Sequence, residues 1–167
     1  MALIEEKCLP LGNYSYYMKY KVTSFALIII FLVSCTISKS VVSDSAYIQK
    51  YQYASITDVM NYSGSASLMD AEVYIYDAVA STKLTMVGDK RIQELNADQK
   101  ERLLLVRFGV TQNSDETVVS VNFVDYLTGK PVASCRGAFG LGLDGDGNMK
   151  GAIKKVTKEI HKVFGAK

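Results

Sequence analysis

The chain has 167 residues, 19 basic and 17 acidic, for a net charge of +2, with 49% hydrophobic and 22% charged side chains. These values sit near a globular average and argue against a disordered or low-complexity chain. No stretch interleaves aromatic and basic residues on one face, which argues against a nucleic-acid partner, and there are three cysteines.

The first organised feature is "KYKVTSFALIIIFLVSC", Lys19 to Cys35. Between Val22 and Ser38 the only ionisable group is the Cys35 thiol, and the strongly apolar part is Phe25 to Val33. A spanning helix needs roughly 20 predominantly apolar residues, so the run is short for that purpose. An n-region with lysines, a short apolar h-region and small residues at the end describe a secretory signal instead. An uncleaved signal anchor and a buried strand are the other readings, and nothing polar alternates through the run as a half-buried strand requires. Leu32-Val33-Ser34-Cys35 resembles the lipobox of bacterial lipoproteins. That resemblance implies a diacylglycerol thioether on Cys35, cleavage before it, and a membrane partner held through the lipid. Upstream, Glu5 and Glu6 oppose the positive-inside bias, so Met18 is the expected start. Cys8 would then be absent from the mature protein, leaving Cys135 as a single free thiol.

Three regions follow from this: residues 1–34 as extension and signal peptide, 35–46 as a lipid-anchored tether, and 47–165 as a single domain. The serine-rich "ISKSVVSDSA" (Ile37 to Ala46) reads as the tether. "AYIQKYQYASI" (Ala46 to Ile56) reads as a strand, and "NYSGS" as a loop. Ser67 to Asp70 has the form of a capping box opening a helix from Leu68 to Ser81. That helix carries Met69, Glu72, Val73, Tyr76 and Ala80 on one stripe, with Ala71, Ile75 and Val79 beside it. "KLTMVG" (Lys83 to Gly88) is a weaker strand signal, reached by a parallel crossover.

Alternation is clearest in the middle. Arg102 to Val110 places Leu104, Val106, Phe108 and Val110 on one face, and Thr117 to Tyr126 does the same with Val119, Val121 and Phe123. "LTGKP" turns the chain into Val132 to Phe139. Met149 to Phe164 has helical apolar spacing, and Gly165 is a fitting C′ residue. The predicted fold class is α+β: a two-layer, about five-stranded mixed sheet with two helices on one face, in the order β-α-β-β-β-β-α.

The run "LLLVRFGV", the stretch "VVSVNFVDYLTGKPVASCRGAFG" and the closing "AIKKVTKEIHKVF" resemble small envelope lipoproteins with a TolB-N-terminal-like sheet. That group includes the penicillin-binding-protein activators and the curli-secretion lipoprotein. The resemblance implies a non-catalytic interaction or assembly module, lipid-anchored in the cell envelope, at the outer membrane facing the periplasm.

Chemistry has three candidate motifs. "GLGLDG" (Gly140 to Gly145) matches a dinucleotide fingerprint, but the second strand with its acidic residue is missing, and Asp144 and Asp146 would repel a pyrophosphate. "DGDGN" (Asp144 to Asn148) resembles half a calcium loop, yet Met149 and Lys155 stand where glycine and glutamate are needed; Asp146 or Asn148 as a helix cap is the ordinary reading. From Asn148 to Lys167 six lysines meet only Glu159, net +5, while Cys35 to Gly147 has ten bases and fourteen acids, net −4. A basic amphipathic helix can contact anionic lipid, although lysines near a C-terminus also complement the helix dipole. Cys135 reads as a small apolar core residue and His161 as a solvated imidazole. No enzyme constellation, cofactor or metal is expected; a small ligand- or nucleotide-binding enzyme using loop 140–148 is the alternative. If both helices cover one sheet face, Leu103, Leu105, Arg107, Ser120, Asn122 and Val124 line the other, a candidate surface for an envelope partner or a second copy.

Overall fold

The alternating segments pair as a meander in the computed structural model, which describes residues 37–57, 66–140 and 145–167. The signal segment with Cys35, the 61–65 loop and residues 141–144 of the glycine-rich loop lie outside the described residues, as do the side chains of Ser67 and Asp146. Strands β4 (Leu103–Gln112), β5 (Thr117–Asp125) and β6 (Pro131–Phe139) are antiparallel neighbours. Val106 faces Phe123 and Val121 faces Cys135, so each core residue meets another across the strands.

The sheet has six strands in the order β1-β6-β5-β4-β2-β3. Strand β2 (Tyr53–Ile56) lies parallel to β4 and to β3 (Thr85–Met86). Helix α1 (Ala66–Ala80) joins β2 to β3, giving the expected parallel strand–helix–strand unit. A short helix α2 (Ala97–Glu101) precedes β4, and α3 (Gly145–Phe164) closes the chain. The architecture is α+β, with α1 and α3 on one face of a mixed sheet.

The sixth strand comes from the tether. Lys39–Val42 forms β1, antiparallel on the free edge of β6, and Ser43 N–H continues the pairing to the Val132 carbonyl at 2.9 Å. The serine content hid Val41 and Val42, whose β-branched side chains suit an edge with unpaired backbone groups. The expected strand from Ala46 is also corrected. Ile48–Lys50 is a 3-10 turn, and pairing starts only at Tyr53. Tyr51 turns inward to Asp125, which breaks the extension.

The core lies between the helices and the sheet. Leu104, Val106, Val119, Val121 and Phe123 are fully buried there, as their alternation predicts, with Phe108 and Val110 half-buried beside them. From α3 come Met149, Ala152, Ile153, Val156, Ile160 and Phe164, and the Phe164 ring sits 4.5 Å from that of Phe123. From α1 the contributors are Ala71, Ile75, Ala78 and Val79. Packing against β6 is close enough that a Cβ at Gly137 would overlap the Ala152 carbonyl and the Val156 nitrogen. Gly165, at φ 76°, ends α3 as the C′ residue. The last residues then clasp the end of α1: Thr82 pairs with Ala166, and Lys167 N–H donates to the Ser81 carbonyl at 3.0 Å.

Candidate interaction surface

The sheet face away from the two long helices is only partly open. Arg107 and Asn122 are exposed and paired across β4 and β5, with Leu105 and Ser120 half-buried around them. Leu103 and Val124 are buried, at 0% and 9% exposure, which corrects their place on an open surface. The segment 89–101 lies next to β2 of the sheet. Its 3-10 helix, Asp89–Glu94, lies against β2 and buries Ile92 outside the main core cluster. Asn96 and Gln99 form a capping box on α2, each side chain bonding the other's backbone N–H at 2.9–3.0 Å. "NADQ" carried that signal in the sequence, and it marks the element that sequence reasoning missed.

Among the described residues, a second exposed apolar stripe lies on α1. Met69, Val73 and Tyr76 are 55%, 61% and 47% exposed, and Tyr74 beside them is exposed as well. At about 100° per residue, Val73 points directly away from the side occupied by Ala71, Ile75 and Val79. The stripe read as one face of α1 is thus its outside, and the narrower neighbouring stripe makes the core. Asp70 and Asp77 flank it, both exposed, and no basic residue ends the helix. On α3, by contrast, the outward side carries Lys150, Lys154, Lys158 and Lys162, all exposed. The helix begins at Gly145, so Asn148 lies buried in its first turn rather than capping it.

Two carboxylates are built into the domain. Asp125, at the end of β5, accepts from Lys50 Nζ at 3.0 Å, Tyr51 Oη at 2.9 Å, and the Thr128 N–H and Oγ1 at 2.9 Å. Burial pushes its carboxyl up, but the bonds from Lys50, Thr128 and Tyr51 win and hold it well below the usual carboxylate range. Its lone pairs are fully used, so it orients Lys50 and the turn rather than abstracting protons. The polar cleft beside it, about 500 Å³, balances Lys50 and Arg102 against Glu101 and Asp125. Glu159 on α3 is 3% exposed and accepts from Lys162 and, at 3.0 Å, from Ser40 Oγ on β1. The Lys162 bond outweighs burial and holds its carboxyl below the usual carboxylate range, with Ser40 adding to the effect.

Neither nucleophile candidate is activated. Burial, with Glu159 nearby, pushes the Cys135 thiol up to about 12, so it stays protonated at neutral pH. Ser81 Oγ donates to the Ala78 carbonyl at 2.7 Å and lies 2.8 Å from His161 Nε2. This contact between Ser81 and the imidazole ties the end of α1 to α3, a role the lone histidine did not announce. Among the described residues no group of three or more His, Cys, Asp or Glu side chains is placed to hold a metal ion. No described helix is long and apolar enough to cross a membrane.

No family model matches the chain, and no curated protein matches it. Among solved structures it is similar to a PelC variant dodecamer from Paraburkholderia phytofirmans, at 17% identity and a TM-score of 0.49, over 79% of this chain and 99% of that one. A second PelC dodecamer from the same organism matches at 15% identity and a TM-score of 0.44, over 78% and 98%. Values this low leave the functional reading to the chain's own residues.

Proposed function

We propose that this chain is a lipid-anchored lipoprotein of the cell envelope whose domain is a non-catalytic assembly module, acting by contact with copies of itself. The observation that carries the reading is the outer side of α1, where Met69, Val73 and Tyr76 stand exposed opposite the buried stripe. A helix apolar all round belongs in an interior, and an exposed apolar stripe at i, i+4, i+7 is the pattern by which helices dock. The rest of the domain supports a non-catalytic role. Its buried thiol is protonated, its Ser81 hydroxyl is bonded to the Ala78 carbonyl, and its buried carboxylates are engaged by fixed partners. The lipobox-like "LVSC" supports anchoring through Cys35 to a membrane.

Two measurements test the two halves. Labelling cells with a clickable palmitate should tag the protein, and Cys35→Ser should remove both label and membrane fractionation; a soluble, unlabelled wild type opposes anchoring. For assembly, full-length protein in detergent should self-associate in light scattering, and Val73→Glu should shift it toward monomer with unchanged thermal unfolding. A wild type that stays monomeric across the accessible concentrations would falsify the assembly reading.

A further inference from the structure

The two helices that share one sheet face present opposite charge to the outside. On α1 the exposed stripe of Met69, Val73 and Tyr76 lies beside Asp70 and Asp77, with the half-buried Glu72 on its other margin, and no base occurs between Ala66 and Ala80. On α3 Lys150, Lys154 and Lys158 recur every fourth residue and form one exposed ridge. The only acid on the second half of that helix is Glu159, which is 3% exposed and engaged with Lys162 and Ser40. Each ridge therefore lacks on its own helix the charge that the other supplies. Long lysine stems also cover apolar surface while the ammonium groups reach carboxylates at its margin, which suits a stripe of methionine, valine and tyrosine flanked by aspartates.

Resting on the assembly reading above, we infer that the contact between copies pairs unlike helices: the α1 stripe of one copy docks on the α3 lysine ridge of another. A contact of α1 on α1 would bring Asp70 and Asp77 toward the same aspartates, which repel. A contact of α1 on α3 pairs acid with base, whether it is made reciprocally about a two-fold axis or repeats head to tail. The other occupant of a basic ridge, an anionic lipid surface, is separated from this one by the experiment.

Full-length protein in detergent is compared by light scattering and analytical ultracentrifugation as wild type, Asp70→Lys/Asp77→Lys, Lys154→Glu/Lys158→Glu, and the four changes combined. All four positions are exposed, so every variant should stay folded, with a small drop in thermal unfolding where Lys158→Glu sets a like charge beside the buried Glu159. Each double reversal should weaken association by about tenfold, and the combined chain should return close to wild type because acid and base have only exchanged sides. Salt raised to about 0.5 M should weaken the wild type in the same direction. The inference is overturned if the combined variant fails to recover, or if neither reversal alters association of a self-associating wild type; the assembly reading survives both results. Loss of binding to anionic vesicles on Lys154→Glu/Lys158→Glu, with association unchanged, overturns it in favour of a membrane-facing ridge. A monomeric wild type overturns the pairing together with the reading beneath it.

Discussion

Helices α1 and α3 lie on the same sheet face, bury similar aliphatic stripes, and differ in what they show to the outside. Every outward residue of α3 from Lys150 onward that is fully exposed is lysine, so its buried side was unmistakable from spacing alone. The outside of α1 is methionine, valine and tyrosine between aspartates. Its apolar residues make two stripes, and the one with larger side chains is on the surface. Core packing chose Ala71 and Ala78 with Ile75 and Val79, a set compact enough to bring α1 down beside α3. Amphipathicity locates a core only when the outer side is polar; where it is not, the unburied stripe is a statement about partners.

The largest effect that can break this comparison comes from placing a charge on each side of each helix. Ile75→Asp and Val156→Asp each bury a carboxylate at a position with 0% exposure and should unfold the domain, costing more than about 4 kcal/mol. Val73→Asp and Lys158→Asp should leave thermal unfolding within about 0.5 kcal/mol of wild type. If Val73→Asp unfolds the chain as Ile75→Asp does, α1 is buried all round and its outer stripe is core.

A middle-sized effect sharpens the contrast in how tightly the helices sit. The backbone of α3 lies on Gly137 of β6 with no space for a methyl group. Gly137→Ala should cost about 1–3 kcal/mol by overpacking, read as a lowered denaturant midpoint. An unchanged midpoint would mean that α3 can slide away from β6 at little cost.

Acid separates the helices further, because α3 carries a buried carboxylate and α1 does not. Glu159 has a lowered folded-state pKa, so its contribution is present above the unfolded value of about 4.3 and is lost as pH falls below it. Asp125 changes stability in the same direction below about 3.9. Hydrogen exchange at falling pH should therefore show β1 loosening from α3 while the amides of α1 stay protected. Ser40→Ala, which removes one bond to the charged Glu159, should cost about 1–3 kcal/mol at neutral pH and less in acid. A cost that does not change with pH would detach β1's stability from Glu159.

Much of the fold was legible for the reason α3 was. Strict alternation in β4 and β5 put Val106, Val119, Val121 and Phe123 inward with no competing pattern. Three features were not legible. Lys39–Val42 is a strand because β6 offers it an edge, and four residues among serines do not reveal that edge. Tyr51 leaves the strand pattern because Asp125, 74 positions away, binds its hydroxyl. Leu103 and Val124 belong to alternate positions that should face outward, yet both are buried, because strand alternation reports one face of a sheet and not what packs on the other. The candidate surface shifted accordingly, from the sheet to α1, with Leu105, Arg107, Ser120 and Asn122 left as a smaller patch.

The smallest effect is expected where neither long helix reaches. Ser55 on β2 pairs with Leu105 on β4 and faces away from the main cluster, yet it is fully buried. Its hydroxyl has no hydrogen-bond partner, the one such side chain among the described residues. A buried hydroxyl without a partner costs desolvation and returns nothing. Ser55→Ala removes the polar atom and leaves a space smaller than a methyl group to refill, so the two effects oppose each other. Desolvation is the larger, and the variant should gain about 1 kcal/mol, measured as a raised denaturant midpoint with an unchanged slope. A loss of the same size would show that the hydroxyl is satisfied in solution and that the sheet's second face is more open to water than the two helix-covered strands behind it.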